Sequence, residues 1–177
     1  MRGLVRPLGF DIIRYCAADN HIEAIHAAAG SRATCSILDV GANIGQTALE
    51  YHRSFPHASI HSFEPFADAF EELERRTRGC PRIVCHRAAL GASDRVAVMY
   101  LNTQSVTNSL LPNDARSEHA ALAGSTDPAG TVEVQERRLD TFCREVGMEQ
   151  IDLLKIDTQG YEAQVLEGAG AMLSPAT

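Results

Sequence analysis

Short apolar runs and polar breaks alternate along this 177-residue chain. SILDV (36–40) is a continuous apolar run, the pattern of a buried strand; glycines then turn the chain and a helix begins near Ile44. ASIHSFEP (58–65) is rich in strand formers, and residues 66–78 place charged and apolar side chains at helical spacing, so the first half reads β-α-β-α. RIVCHRAAL (82–90) predicts a third strand, with the turn Gly91-Ala92-Ser93-Asp94 leading into VAVMYL (96–101) as its hairpin partner. The pattern then fails over residues 102–131, which are rich in Asn, Ser, Thr, Pro, Gly and Ala; a long irregular segment in a compact domain predicts a lid or substrate loop. VEVQERRL (132–139) alternates as a strand should, and Asp140-Thr141 cap a short helix running to about Val146. IDLLKID (151–157) predicts the next buried strand, and a helix follows from about Tyr161 to Met172. Strands alternating with helices imply a mostly parallel sheet with right-handed crossovers. Residues 10–29 predict one or two lead-in helices before Gly30-Ser31, so the chain divides into a helical lead-in (1–33) and one α/β domain (34–177).

Composition narrows the partners. At 45% hydrophobic and 22% charged, the chain falls in the globular range. A formal charge of -7 with no basic stripe argues against nucleic acid, whose backbone would be repelled. The apolar stretch in MRGLVRPLGFDII is too short and interrupted for a signal peptide or membrane span, which predicts a soluble, cytoplasmic protein without stable membrane insertion. Five scattered cysteines with no CxxC pair predict reduced, mostly buried thiols.

In open parallel sheets, ligands sit beyond the carboxyl ends of the strands, so the strand tips are the places for chemistry. The first tip reads Asp39-Val40-Gly41-Ala42-Asn43-Ile44-Gly45, where Gly41 permits a tight turn and Gly45 a close approach by backbone or ligand. A dinucleotide fingerprint fails twice, because Asn43 and Gln46 occupy its second and third glycine positions. An acid at this tip suits a cation better than a pyrophosphate, and S-adenosylmethionine carries both an ammonium and a sulfonium. The alternative is that Asp39 only serves the turn or caps the helix. The second tip offers Glu64, a carboxylate able to accept both hydroxyls of a ribose, with Phe66 behind it to pack on adenine or join the core. The third is Lys155-Ile156-Asp157-Thr158-Gln159-Gly160, where Lys155 and Asp157 share a face. Asp157 there is a base, a ligand contact, or half of a Lys155–Asp157 ion pair, with Glu162 placed at a helix N-terminus. Three acids on three tips, each followed by a turn and helix, point to a methyltransferase.

The segments DVGANIGQ, HSFEPFADAFEEL, AALGASD, TNSLLP, VQERRLDTF and LLKIDTQGYEAQVLEGAG, in this order, resemble the FkbM-type S-adenosylmethionine-dependent methyltransferases over about residues 8–173. The resemblance implies a class I methyltransferase (Rossmann-like) sheet flanked by helices and methylation of a hydroxyl, often on a sugar or glycosylated metabolite. It places Asp39, Gly41, Ala42, Asn43 and Gly45 at the methionine end of S-adenosylmethionine, Glu64 with Pro65 and Phe66 at the ribose side, and Ala88 and Ala89 beside adenine. Asp157 then faces the transfer site as catalytic base, with Asn108, Ser109 and Gln159 on the substrate side. The family continues past the GAG segment with further strands, whereas this sequence stops at SPAT; the expectation is a C-terminally truncated sheet whose exposed edge at IDLLKID invites self-association.

Methyl transfer from a sulfonium is helped mainly by positioning, together with a base for the hydroxyl proton. Asp157 fits that role, with His119 as the alternative. Asp157 and Glu162 supply only two ligands, so no metal is assigned. The expected partner is a small-molecule or glycan acceptor. The rival readings are an NAD-dependent oxidoreductase, favoured by Glu64, and a catalytically inactive cofactor-binding fragment.

Overall fold

The computed structural model describes residues 21–29, 35–102 and 128–173. Its centre is the expected parallel sheet, built from β1 (Ser36–Val40), β2 (Ser59–Phe63) and β3 (Ile83–His86). A second group of strands follows: β4 (Ala89–Gly91), β5 (Arg95–Asn102) and β6 (Pro128–Arg138). β7 (Leu153–Ile156) then returns to the first sheet beside β1, giving the order β3-β2-β1-β7. The helices are α1 (His21–Ala29), α2 (Gln46–Ser54), α3 (Ala67–Thr77), α4 (Leu139–Glu145), α5 (Glu162–Gly168) and α6 (Gly170–Leu173).

The period of two along each strand sorts the core into two layers. Ile37, Ile60 and Ile83 face one way and pack with Ala48, Tyr51 and Phe55, and α1 adds Ile22 and Ile25. Leu38, Val40 and Phe63 face the other way and pack with Leu139, Phe142, Val165 and Ala169. Among them the wholly buried Ile37, Leu38, Val40, Ile60, Phe63, Leu139, Phe142 and Val165 each contribute roughly 1.5–3 kcal/mol of transfer free energy. At the amino end of the sheet, Asp152 Oδ2 accepts the Cys35 and Ser36 N–H groups at 2.8 and 2.9 Å, locking β7 beside β1. Burial pushes the Asp152 carboxyl up, but those hydrogen bonds outweigh it and hold the group below the usual carboxylate range.

The expected hairpin between residues 82–90 and 96–101 does not form. The Ala88 N–H turns back to the His86 carbonyl at 3.0 Å, which ends β3 and releases Ala89–Gly91 into the other sheet. β5 pairs instead with β6, antiparallel, in the order β4-β6-β5. The register explains the choice: Ala97 faces Val134 and Met99 faces Val132, so the inward residues of both strands meet in one apolar cluster with Ala89. β6 also begins at Pro128, earlier than the alternation from Val132 suggests, so residues 102 and 128–131 belong to strands; Asn108, Ser109 and His119 lie outside the described residues. Among the described cysteines all are free thiols, yet only Cys143 is buried and Cys35 is exposed, contrary to the expectation of mostly buried thiols. Among the described residues no helix is long and apolar enough to cross a membrane.

His61 and His86, on β2 and β3, stack at 5.2 Å and share a hydrogen bond across 2.9 Å, while Phe63 stacks on His86 and Phe142 meets both rings edge-on. Burial, the His61 ring and the Arg137 guanidinium push His86 down to about 4, and burial lowers His61. A folded-state value below the unfolded one means that protons are taken up on unfolding, so this pair's contribution is present above about pH 6.5 and is lost as pH falls toward 4. His86→Phe keeps the ring stack and removes the titration. Melting temperatures from pH 7 to 4 should therefore fall less in His86→Phe than in the parent protein, by a few degrees; parallel profiles would contradict the assignment.

Candidate functional site

The β1 tip is a turn held from two sides. The Gly41 and Ala42 N–H groups both donate to the Phe63 carbonyl, at 3.1 and 2.9 Å, and the Gly45 N–H closes the turn on the Ala42 carbonyl at 2.9 Å. Gly41 (φ 74°), Asn43 (φ 49°) and Gly45 (φ 84°) are all left-handed, a conformation that Gly and Asn tolerate. A Cβ on Gly41 would strike the Asp157 carbonyl oxygen, so this glycine lets the β1 turn lie directly against the β7 tip. Gly45 caps α2, and a Cβ there would come 2.7 Å from Leu73 Cδ1; the close approach it permits is that of α3.

Asp39 has no exposed surface. It lies opposite Lys155 in the β1–β7 register, and the Lys155 ammonium stands 3.0 Å from its Oδ1 while donating to the Gly41 carbonyl at 2.8 Å. The aligned hydrogen bond of the ammonium goes to that carbonyl, so the contact with Asp39 is chiefly Coulombic and neither carboxylate oxygen receives an aligned donor. Burial pushes the Asp39 carboxyl up, Lys155 opposes this, and Asp157 adds to it. The Lys155–Asp157 ion pair considered from sequence therefore gives way to a cross-strand pair with Asp39.

Glu64, 5% exposed, joins two tips: its Oε2 accepts the Asn43 N–H at 2.9 Å and its Oε1 accepts the Phe66 N–H at 3.0 Å. Burial raises its pKa, while those two hydrogen bonds and Lys155 pull the other way. A carboxylate offers about four lone-pair sites, so each oxygen keeps one for a ligand. Behind it, the half-buried Phe66 packs against the Ala89, Ala97 and Met99 cluster, and Ala88 and Ala89 are both buried.

At the third tip the Asp157 N–H pairs with the Val40 carbonyl at 3.0 Å, leaving its side chain exposed. Gln159 Nε2 donates to Asp157 Oδ1 at 3.1 Å, and Gln159 (φ 54°) and Gly160 (φ 101°) are left-handed. Glu162 holds this turn, its Oε1 accepting the Thr158 and Gly160 N–H groups at 3.0 and 3.1 Å. Burial raises the Glu162 carboxyl, but hydrogen bonds from backbone N–H groups outweigh it and keep it low. Glu162 is thus a clamp for the turn that carries Asp157. Among the described residues no group of three His, Cys, Asp or Glu side chains is placed to hold a metal ion.

The structure therefore brings Asp39, Gly41, Ala42, Asn43, Glu64 and Asp157 to one end of the sheet. It also shows contacts that sequence reading passed over. Lys155 is the counter-ion of Asp39, and an open groove of about 840 Å³ beside Ala88 is bordered by His86, Arg87, Arg95 and Arg137. Arg95 and Arg137 are already paired, with Glu136 and Glu145. Only strand register could have signalled the Asp39–Lys155 and Arg95–Glu136 pairs.

Residues 39–175 match the methyltransferase FkbM domain. Methyltransferase 1 of Beauveria bassiana (strain ARSEF 2860) is 28% identical over 142 residues, covering 75% of this chain and 57% of that protein. The 2-O-methyltransferase NoeI of Sinorhizobium fredii (strain NBRC 101917 / NGR234) is 28% identical over 151 residues, 78% of this chain and 58% of NoeI. The 31-O-demethyl-FK506 methyltransferase FkbM of Streptomyces tacrolimicus is 28% identical over 158 residues, 75% of this chain and 58% of that enzyme. The chain spans a little under three fifths of these relatives. The matched region begins at Asp39 and takes in all three strand tips: the chain belongs to the FkbM methyltransferase family.

Proposed function

We propose that the strand tips bind S-adenosylmethionine and that the protein transfers its methyl group to a hydroxyl oxygen of a small-molecule or glycan acceptor, such as a sugar or glycosylated metabolite. The observation that carries this reading is Glu64: a nearly buried carboxylate, anchored by amides from two tips, with acceptor capacity left for a ribose diol. Three carboxyl groups, Asp39, Glu64 and Asp157, stand with the Lys155 ammonium at these tips, a composition that suits a cationic ligand. The turn at residues 41–43, left-handed at Gly41 and Asn43, gives a ligand close access to backbone. Two of the relatives are named for methylation at an oxygen.

S-adenosylmethionine supplies an electrophilic methyl on a sulfonium sulfur. Within this chain, Glu64 holds the ribose, the 41–45 turn faces the methionine end, and Pro65, Phe66, Ala88 and Ala89 form the adenine side. Asp39 acts through its charge and through Lys155, because its own carboxylate is enclosed. Asp157, exposed and steadied by Gln159, takes the proton that the acceptor hydroxyl loses. β7 has β1 as its strand neighbour among the described residues.

Calorimetry with S-adenosylhomocysteine and NADH on the same protein separates this reading from an oxidoreductase. Binding of the first and not the second is expected, and the reverse would overturn the reading. Glu64→Ala should weaken S-adenosylhomocysteine binding by about 1–3 kcal/mol, and unchanged affinity would remove Glu64 from the site.

Asp157→Asn preserves shape and removes basicity. Turnover of the full-length protein, followed as S-adenosylhomocysteine release, should drop roughly 100-fold or more while affinity for that product stays within about twofold. Equal turnover would make Asp157 a structural residue.

A further inference from the structure

The second sheet contains a buried acid that the proposed reaction does not use. Glu136, on β6, is 1% exposed, and lies level with Ala89 of β4 on one side and Arg95 of β5 on the other. Its Oε2 accepts Arg95 Nε at 2.7 Å, and its Oε1 accepts the Tyr161 hydroxyl at 3.2 Å. A buried carboxylate needs such partners, and both are supplied from other elements. Two glycines make the space. A Cβ on Gly91 would strike Glu136 Oε1, and one on Gly168 would strike the Gly91 carbonyl, so α5 presses directly on β4 with Glu136 and Tyr161 beside the contact.

Tyr161 connects this cluster to the candidate site. It is the N-cap of α5, 7% exposed, and the next residue after the turn that holds Asp157, Thr158, Gln159 and Gly160. That turn is otherwise held at its far end by the Asp157 N–H on Val40 and from within by Glu162. Gln159, a non-glycine residue at φ 54°, lies in a sparsely populated backbone conformation that its neighbours must hold. The Tyr161 hydroxyl supplies the missing tether, to the β5–β6 hairpin.

We propose that Glu136 and Tyr161 are positioning residues: with Arg95 as counter-ion, they fix the 157–160 turn against the β5–β6 hairpin and so set the place of Asp157 at the acceptor side. The role of Asp157 rests on the methyl-transfer reading, whereas the mechanical coupling of turn to hairpin does not.

Residue-resolved amide exchange of the full-length protein tests the coupling. Tyr161→Phe removes one hydroxyl and leaves the ring packed. The Thr158 and Gly160 amides should exchange at least tenfold faster, while those of Ile37–Val40 and Ile60–Phe63 keep their parent rates. Glu136→Ala should accelerate the same two amides, and the double variant should be no faster than Glu136→Ala alone, since each change breaks the same tether. Unchanged rates at Thr158 and Gly160 in Tyr161→Phe would overturn the proposal, and so would an increase spread evenly over both sheets, which marks a general loss of stability. S-adenosylhomocysteine calorimetry on the parent protein decides the methyl-transfer reading separately, because absence of binding there would leave the exchange comparison intact.

Discussion

A carboxylate with no exposed surface at the end of a central strand must find its counter-charge inside the protein. Asp39 finds it one strand away in Lys155, and the same ammonium reaches the Gly41 carbonyl. This contact works only if β1 and β7 keep their register and Gly41 stays left-handed, so strand pairing and the first turn are fixed together. Gly41 in turn has no Cβ because the Asp157 carbonyl occupies that space. Removing one member of such a pair leaves an uncompensated buried charge, at a cost of roughly 3–5 kcal/mol, which gives the ends of two strands a common fate.

Around that centre the tips are joined by backbone rather than by side-chain packing. Phe63 receives the amides of the first turn, Glu64 receives one amide from each of the first two loops, and Val40 receives the amide of Asp157. The three acids that sequence reading grouped by position thus have different duties. Asp39 is enclosed and organises, Glu64 links two loops, and Asp157 is exposed, its Oδ1 accepting the Gln159 amide. The second sheet reaches the same region from the side, through Glu136 and Tyr161.

Much of this was legible in the sequence where one local pattern settled the matter. SILDV became β1 without a shift, the helix expected at 66–78 became Ala67–Thr77, and Asp39, Glu64 and Asp157 came to the same end of the sheet. The readings that failed depended on contacts distant in sequence. The stretch 82–90 looks like one strand because its apolar pattern continues past the bend at Arg87-Ala88, and VAVMYL looks like its partner because it comes next. The choice of β6 was made by matching Ala97 and Met99 to Val134 and Val132, residues more than thirty positions away. The sequence offers Asp157 as one partner for Lys155 because the two share a face of one strand, yet the buried Asp39 across the ladder is the stronger claim on an ammonium. Glu136 sits in an ordinary alternating strand, and nothing local marks it as enclosed.

The most direct test of the account is a titration of the protein with S-adenosylhomocysteine followed by amide chemical shifts. The account predicts saturable changes concentrated at Gly41–Gly45, Glu64–Phe66 and Asp157–Gly160, the three tips tied together by the Asp39–Lys155 pair and Glu64. Saturable changes centred elsewhere, or none at these tips at millimolar ligand, would contradict it.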